Sequence, residues 1–218
     1  MREGRVFAIG DIHGCAEKLA TLLGRLPFDP ARDTLVFLGD YLDRGPDVRG
    51  VLDILCRLRE DGVRIKPLVG NHEYLLLSYH RSPDQTLLPY MRRLGLEQTL
   101  ESYGDASLAG LAALAFLPQA HREFLFSLLP YWETDEYLFV HAGLRHDLAV
   151  SDQEISDLCE VREPFLLEER DFGKRVIFGH TPFATPLVTM NKIGIDTGAV
   201  YGGLLTAVEL PSLHFYHA

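Results

Sequence analysis

Five short apolar runs in this chain each end in a polar signature that carries glycine. They are Val6 to Ile9 before Gly10-Asp11-Ile12-His13-Gly14, Leu35 to Leu38 before Gly39-Asp40-Tyr41-Leu42-Asp43-Arg44-Gly45, Ile65 to Val69 before Gly70-Asn71-His72-Glu73, Tyr137 to Val140 before His141-Ala142-Gly143, and Val176 to Phe178 before Gly179-His180-Thr181. Short runs rich in β-branched and aromatic residues and bounded by glycine suit strands buried on both faces. A fold built on them must deliver Asp, His and Asn at the C-terminal ends of its strands.

The spacing between runs adds helices. Leu19, Leu22, Leu23 and Leu26 recur at helical period, as do Val48, Val51, Leu52, Leu55 and Leu58, so the first two strands are each followed by an amphipathic helix. This is βαβ alternation. The third run contains Pro67, which argues against a regular central strand. From Tyr74 to about Leu129 the pattern turns helical throughout, over Tyr74 to Tyr79, Thr86 to Leu100, Leu108 to Phe116 and His121 to Leu129, with prolines between. A cap or lateral helical layer is expected there. The last third returns to strands near Lys192 to Ile195, Leu204 to Leu210 and Leu213 to Tyr216, read as antiparallel, with Gly202-Gly203 as a tight connection. No linker or repeat is visible, so residues 1–218 read as a single domain.

Composition excludes several classes. With 218 residues, 47% of them hydrophobic, the chain can bury a full core. A net charge of -10 supplies no basic field for a nucleic-acid backbone, although bound cations would let such a chain take an anionic substrate. The start has no signal-peptide pattern and no apolar run is long enough to span a membrane, so a cytoplasmic protein without a membrane partner is expected. Cys15, Cys56 and Cys159 lack CxxC spacing, and none has an Arg six residues later. A disulfide framework, a zinc knuckle and a cysteine nucleophile are all disfavoured.

The polar signatures themselves point to metal. In an extended strand end Asp11 and His13 would lie on one side and grip one ion; alone, such an Asp is equally a helix cap. Asp40 ends the second strand in the same way, and a carboxylate has an oxygen for each of two ions. Asn71 adds a neutral oxygen, and His141 and His180 arrive from late strands. One histidine at a strand end is ordinary, but six donors at strand termini fit a mixed nitrogen and oxygen shell for two adjacent divalent cations.

The ordered set GDIHG, GDYLDRGP, GNHE, HAG and GHT resembles the calcineurin-like metallophosphoesterases, within them the phosphoprotein phosphatase family and the bacterial serine/threonine protein phosphatases similar to lambda phosphatase. The resemblance runs from Val6 to about Val208. It implies an α/β, four-layer fold: a central β-sandwich of mixed sheets flanked by helices, with a helical cap segment around 74–130. It implies one metal held by Asp11, His13 and Asp40, and a second by Asp40, Asn71, His141 and His180. Mn²⁺ is the ion implied, while the donors alone do not choose among Mn, Fe, Co, Ni and Zn. His72 is implied as the general acid, and Asp43 fits as the carboxylate that supports its imidazolium; a salt bridge from Asp43 to Arg44 is the alternative. Arg44 would offer a planar fork to phosphate oxygens. Arg162 resembles a second phosphate clamp, with a solvated arginine as the alternative. Glu73 reads as structural support, and Tyr201 as a buried aromatic rather than a substrate contact. The chain lacks the serine-containing continuation of the eukaryotic branch after Arg44, so that branch's regulatory partners are not implied.

Three functions follow for comparison. The first is a protein phosphatase acting on phosphoserine or phosphothreonine, with phosphotyrosine and small aryl phosphates as further substrates. The second is a symmetric dinucleoside tetraphosphate hydrolase, disfavoured because that family typically has Asp followed by a Leu-His-Leu-Leu run where this chain has Glu73-Tyr74-Leu75-Leu76-Leu77. The third is a non-catalytic scaffold, disfavoured because no ligand is eroded.

Overall fold

The computed structural model describes residues 4–104, 108 and 110–218. Strands β1 (Val6–Ile9), β2 (Thr34–Phe37) and β3 (Arg64–Pro67) are parallel neighbours, connected by α1 (Ala16–Arg25) and α2 (Val48–Glu60). The chain then forms α3 (Asn71–Arg81), α4 (Leu88–Leu94), α5 (Leu96–Ser102) and α6 (Gln119–Phe126). It continues through β4 (Tyr131–Glu133), β5 (Tyr137–Val140), α7 (Ile155–Glu160), β6 (Arg175–Phe178), β7 (Leu187–Val188), β8 (Lys192–Gly194), β9 (Thr206–Leu210) and β10 (His214–His217). One sheet has the order β10-β9-β1-β2-β3 and the other β4-β5-β6-β8-β7, both mixed.

The strand period of two explains why these runs are apolar throughout. Phe7, Ile9, Leu35 and Phe37 face the helices beneath the first sheet. Their neighbours Ala8, Val36 and Leu38 meet Phe139, Ile177 and Ile193 of the second sheet in a layer between the two. On the far side Leu138, Val140, Val176 and Phe178 pack with Leu158 of α7 and Phe165. The layers are therefore helix, sheet, sheet, helix, and the fold is the α/β sandwich that the sequence resemblance implies. β3 is an edge strand with Pro67 as its last residue, a position that tolerates a missing donor.

The helical segment differs in detail. Met91, Leu96, Leu100, Phe124 and Leu125 share one core with Val51, Leu52 and Leu55 of α2, so this segment continues the helical layer sideways. The helix expected over Thr86 to Leu100 is broken at Gly95, whose φ of 105° separates α4 from α5. The stretch expected as a helix from Leu108 to Phe116 is a series of turns over its described residues, with Leu114 at φ 51°; Ala109 lies outside them. α6 starts at Gln119 because Pro118 precedes its first turn, and Leu129 leaves it to pair beside Leu68. β4, β7 and α7 are too short to show a period. β8, expected as antiparallel, runs parallel to β6 and antiparallel only to β7. No helix among the described residues is long and apolar enough to cross a membrane.

Candidate metal centre

The ends of β1, β2, β5 and β6 and the start of α3 converge on one point. Of seven non-glycine residues with positive φ among the described residues, five are here: His13 (44°), Asp40 (52°), Asp43 (65°), Arg44 (65°) and His180 (63°). Left-handed backbone at such residues is costly and persists only where the surroundings enforce it. The strand does not simply extend through Asp11 and His13, as expected; it turns at His13, and the two side chains do different things. Glycine permits the tight approaches: a Cβ on Gly70 would lie 2.2 Å from Asp40 Oδ1, and one on Gly179 2.1 Å from Asp11 Oδ1.

Asp40 is the centre of the arrangement. Its Oδ2 lies 3.2 Å from His13 Nε2 and 3.9 Å from His72 Nε2, and its Oδ1 lies 3.4 Å from His141 Nε2. Asn71 Oδ1 is 3.2 Å from His141 Nε2 and 3.0 Å from His180 Nδ1. Two groups able to hold a cation result, His13–Asp40–His72 and Asp40–His141–His180, which share Asp40. Asp11 joins neither; its carboxylate accepts the His180 N–H at 2.9 Å.

Hydrogen bonds fix the imidazole lone pairs. His13 Nδ1 is 2.8 Å from Leu42 O and His141 Nδ1 is 2.8 Å from Leu38 O. A carbonyl only accepts, so each Nδ1 carries the proton and each Nε2 turns a lone pair inward. Burial lowers the pKa of His141, and burial with His141 nearby pushes His180 down to about 3, so both are neutral near pH 7. His141 Nε2 then turns a lone pair toward Asp40 Oδ1 and Asn71 Oδ1, both acceptors. Burial opposes ionisation of Asp40, but His141, His72 and His13 outweigh it and hold its carboxyl well below the usual range. Asp11 is pushed well above it by burial and by the charges of Asp196 and Asp40. Convergent lone pairs and crowded buried carboxylates are a donor set that fits divalent cations.

Glu73 holds the loop that carries Asp40. Fully buried, its Oε2 accepts the N–H groups of Asp40 (2.9 Å) and Gly70 (3.0 Å), and its Oε1 those of Tyr41 (2.9 Å) and Leu42 (3.0 Å). Burial and Asp40 push its pKa up to about 7, against these donors. All four lone pairs are occupied, so the carboxylate is the form that this geometry stores.

His72 has a separate arrangement. Its Nδ1 is 2.7 Å from Asp43 Oδ2, and its buried Nε2 has no hydrogen-bond partner. Asp43 does not pair with Arg44; its Oδ1 accepts the Thr99 hydroxyl, and its N–H donates to Thr99 Oγ1 at 2.9 Å. Burial lowers the His72 pKa, but Asp40 and Asp43 outweigh it, and the result lies above the ordinary histidine value. Thr99 left no mark in the sequence, being one threonine inside a helix. Asp196 repeats the apolar-run-then-Asp pattern after Ile193 to Ile195 and sits 6% exposed at the site.

Arg44 Nη1 donates to His13 Nε2 at 2.8 Å, and its guanidinium faces a cleft of about 490 Å³ lined by Asp40, Asn71, Arg162, His180, Asp196 and Tyr201 among others. Arg162, at the cleft wall, donates to Thr181 Oγ1 at 3.0 Å and to His180 O at 3.4 Å. Tyr201 is 64% exposed, which overturns its reading as a buried aromatic. Its place between two turn glycines lifts it away from the core.

The family model for calcineurin-like phosphoesterases matches residues 4–203. Serine/threonine-protein phosphatase 1 of Salmonella typhimurium is 32% identical over 217 residues, which cover 94% of this chain and 91% of that protein. Bis(5'-nucleosyl)-tetraphosphatase PrpE [asymmetrical] of Geobacillus thermodenitrificans is 28% identical over 229 residues, covering 94% and 90%. Among solved structures, a candidate diadenosine tetraphosphatase superposes with a TM-score of 0.76 at 26% identity, covering 99% of this chain and 93% of that one. A cold-active protein tyrosine phosphatase at 18% identity shares the fold, with a TM-score of 0.64 over 95% of this chain and 74% of that one.

Proposed function

Because this chain belongs to the calcineurin-like phosphoesterases, we propose that it is a metal-dependent phosphomonoesterase whose preferred substrates are phosphoserine and phosphothreonine in proteins. The reading takes residues 1–218 as one catalytic domain acting in the cytoplasm. Asp11, His13 and Asp40 would hold one divalent cation, and Asp40, Asn71, His141 and His180 the other, with Mn²⁺ the leading candidate. When bound, such cations supply Lewis acidity and lower the pKa of an attacking water.

The protein's own residues supply the rest. Arg44 binds phosphoryl oxygens through its fork of donors, with Arg162 placed to add a second contact from the cleft wall. His72 gives its Nε2 proton to the departing oxygen. Asp43 keeps that imidazole charged and oriented through Nδ1, and Thr99 keeps Asp43 in its rotamer.

One observation carries the choice of substrate: His72 is paired to Asp43 at 2.7 Å, with Nε2 left unpartnered beside Asp40. A serine or threonine alkoxide is a strongly basic leaving group and needs an acid. The phosphate released from a phosphoanhydride is weakly basic and needs one far less.

A second reading has its own support. The PrpE relatives are bis(5'-nucleosyl)-tetraphosphatases, and exposed Tyr90 and Tyr201 line the cleft, where an aromatic ring can stack on a base. Those relatives carry the asymmetrical label, so this reading differs from the symmetric hydrolase weighed on the motifs. Manganese-loaded protein assayed against a phosphoserine peptide, p-nitrophenyl phosphate and diadenosine tetraphosphate decides between the readings. Higher kcat/KM on the peptide than on the tetraphosphate is expected. Turnover of the tetraphosphate alone would transfer the assignment to the second reading, and inactivity on all three with metal bound would leave a scaffold.

A further inference from the structure

Lys18 lies in the first turn of α1 yet reaches across to a turn more than 180 residues away. Its Nζ donates to Ala199 O at 2.7 Å and to Gly203 O at 2.6 Å. These carbonyls flank the 3-10 turn Ala199–Tyr201, which Gly198 (φ 70°) and Gly202 (φ 87°) bracket in left-handed backbone. Within it Tyr201 N–H and Gly203 N–H both donate to Gly198 O, at 2.9 and 3.0 Å. Two glycines make such a turn easy to form and equally easy to deform. One ammonium joined to both ends removes that freedom.

The turn exposes one large side chain. The Tyr201 ring stands over the cleft, with the Arg44 guanidinium carbon 5.6 Å from its centroid, inside cation–π range. Arg44 itself stands on strained backbone, and its guanidinium has His13 Nε2 as its hydrogen-bond partner on the metal side. The ring is therefore its lateral support on the solvent side.

We propose that Lys18 is a positioning residue: it staples the 199–203 turn so that Tyr201 holds the Arg44 guanidinium in place for the phosphoryl group. The inference rests on Arg44 binding phosphate, as in the function proposed above. Lys18 touches neither substrate nor metal ligand. It acts through the backbone of the turn.

The test uses manganese-loaded full-length protein, with inorganic phosphate as the probe in calorimetry and amide hydrogen exchange on residues 198–204. Lys18→Met, which keeps the aliphatic length, is expected to speed exchange in the turn and to weaken phosphate binding roughly 2- to 5-fold, the size of one exposed cation–π contact. Tyr201→Ala is expected to weaken phosphate binding equally, and Tyr201→Phe to retain it. Adding Lys18→Met to Tyr201→Ala should cost no further affinity, because both act on one contact. In parallel turnover of p-nitrophenyl phosphate, KM should rise with phosphate Kd while kcat holds. Unchanged phosphate affinity in Lys18→Met, or additive losses in the double variant, would overturn the proposal. A wild type without any turnover would instead sink the phosphatase reading, leaving Lys18 to be judged by exchange and phosphate titration.

Discussion

Under the proposed function, His72 is the side chain whose removal should separate chemistry from metal binding. It follows Asn71 directly, but its Nδ1 is committed to Asp43 rather than to a cation. His72→Asn is therefore expected to leave metal content intact and to lower kcat by roughly 10² to 10⁴ on a phosphoserine peptide. The loss should be smaller on p-nitrophenyl phosphate, whose leaving group is a stable anion. Equal losses on both substrates would remove His72 from the proton-donor role. At this scale the sequence was readable where glycine flanks a donor, because close backbone approach needs it, as at Gly70 beside Asp40 and Gly179 beside Asp11. It was unreadable where a partner comes from a distant helix. Thr99 reaches Asp43 across 56 positions with no local pattern to mark it, and the exposure of Tyr201 comes from a turn between Gly198 and Gly202 whose path the local sequence does not show.

Among elements, legibility followed length and burial. α1 and α2 show a full helical period, and β1, β2, β5 and β6 are apolar on both faces because each lies between two cores. The helix expected through Gly95 failed because that residue's left-handed backbone ends α4, and the two-residue β7 is defined only by its pairing with β8. One carboxylate joins the entries of β1 and β2. Asp33 accepts Arg5 N–H and Asp29 N–H and pairs with the Arg5 guanidinium, each at 2.8 Å. Burial raises its pKa, but these donors outweigh burial and leave it below the ordinary aspartate value. A depressed folded pKa means that the stabilisation is complete above the unfolded value of about 3.9 and is lost as pH falls through the folded one. Asp33→Asn is expected to cost about 1–3 kcal/mol at pH 7. Urea midpoints should show that gap narrowing as pH falls below about 3.9, where the unfolded carboxyl takes up its proton before the folded one. A gap as wide below that pH as at pH 7 would show that Asp33 acts through shape, not charge.

Across the whole molecule, the donors of the proposed centre are divided between the two sheets. Asp11, His13 and Asp40 follow strands of the first sheet and Asn71 opens the helix after it, while His141 and His180 follow β5 and β6 of the second. The sheets otherwise meet through the apolar layer between them, and at this edge through the Asp11 carboxylate on His180 N–H and through His141 Nδ1 on Leu38 O. Cations bound here would tie the sheets together and relieve the crowding of Asp11, Asp40 and Asp196, in a chain whose net charge is already -10. Metal should therefore act as a structural crosslink as well as a reagent. Saturating Mn²⁺ at about 100 times Kd adds roughly 2.7 kcal/mol of stability for each ion bound, which in a chain of this size raises Tm by roughly 5–10 °C per ion over chelator-treated protein. Asp40→Asn should abolish that rise, because both donor groups lose their shared oxygen donor together. A variant that keeps half of the metal and half of the rise would mean that Asp40 serves one ion only. Wild-type protein that binds two ions with no change in Tm would mean that the unfolded chain binds them as tightly as the folded one, which would overturn the crosslink.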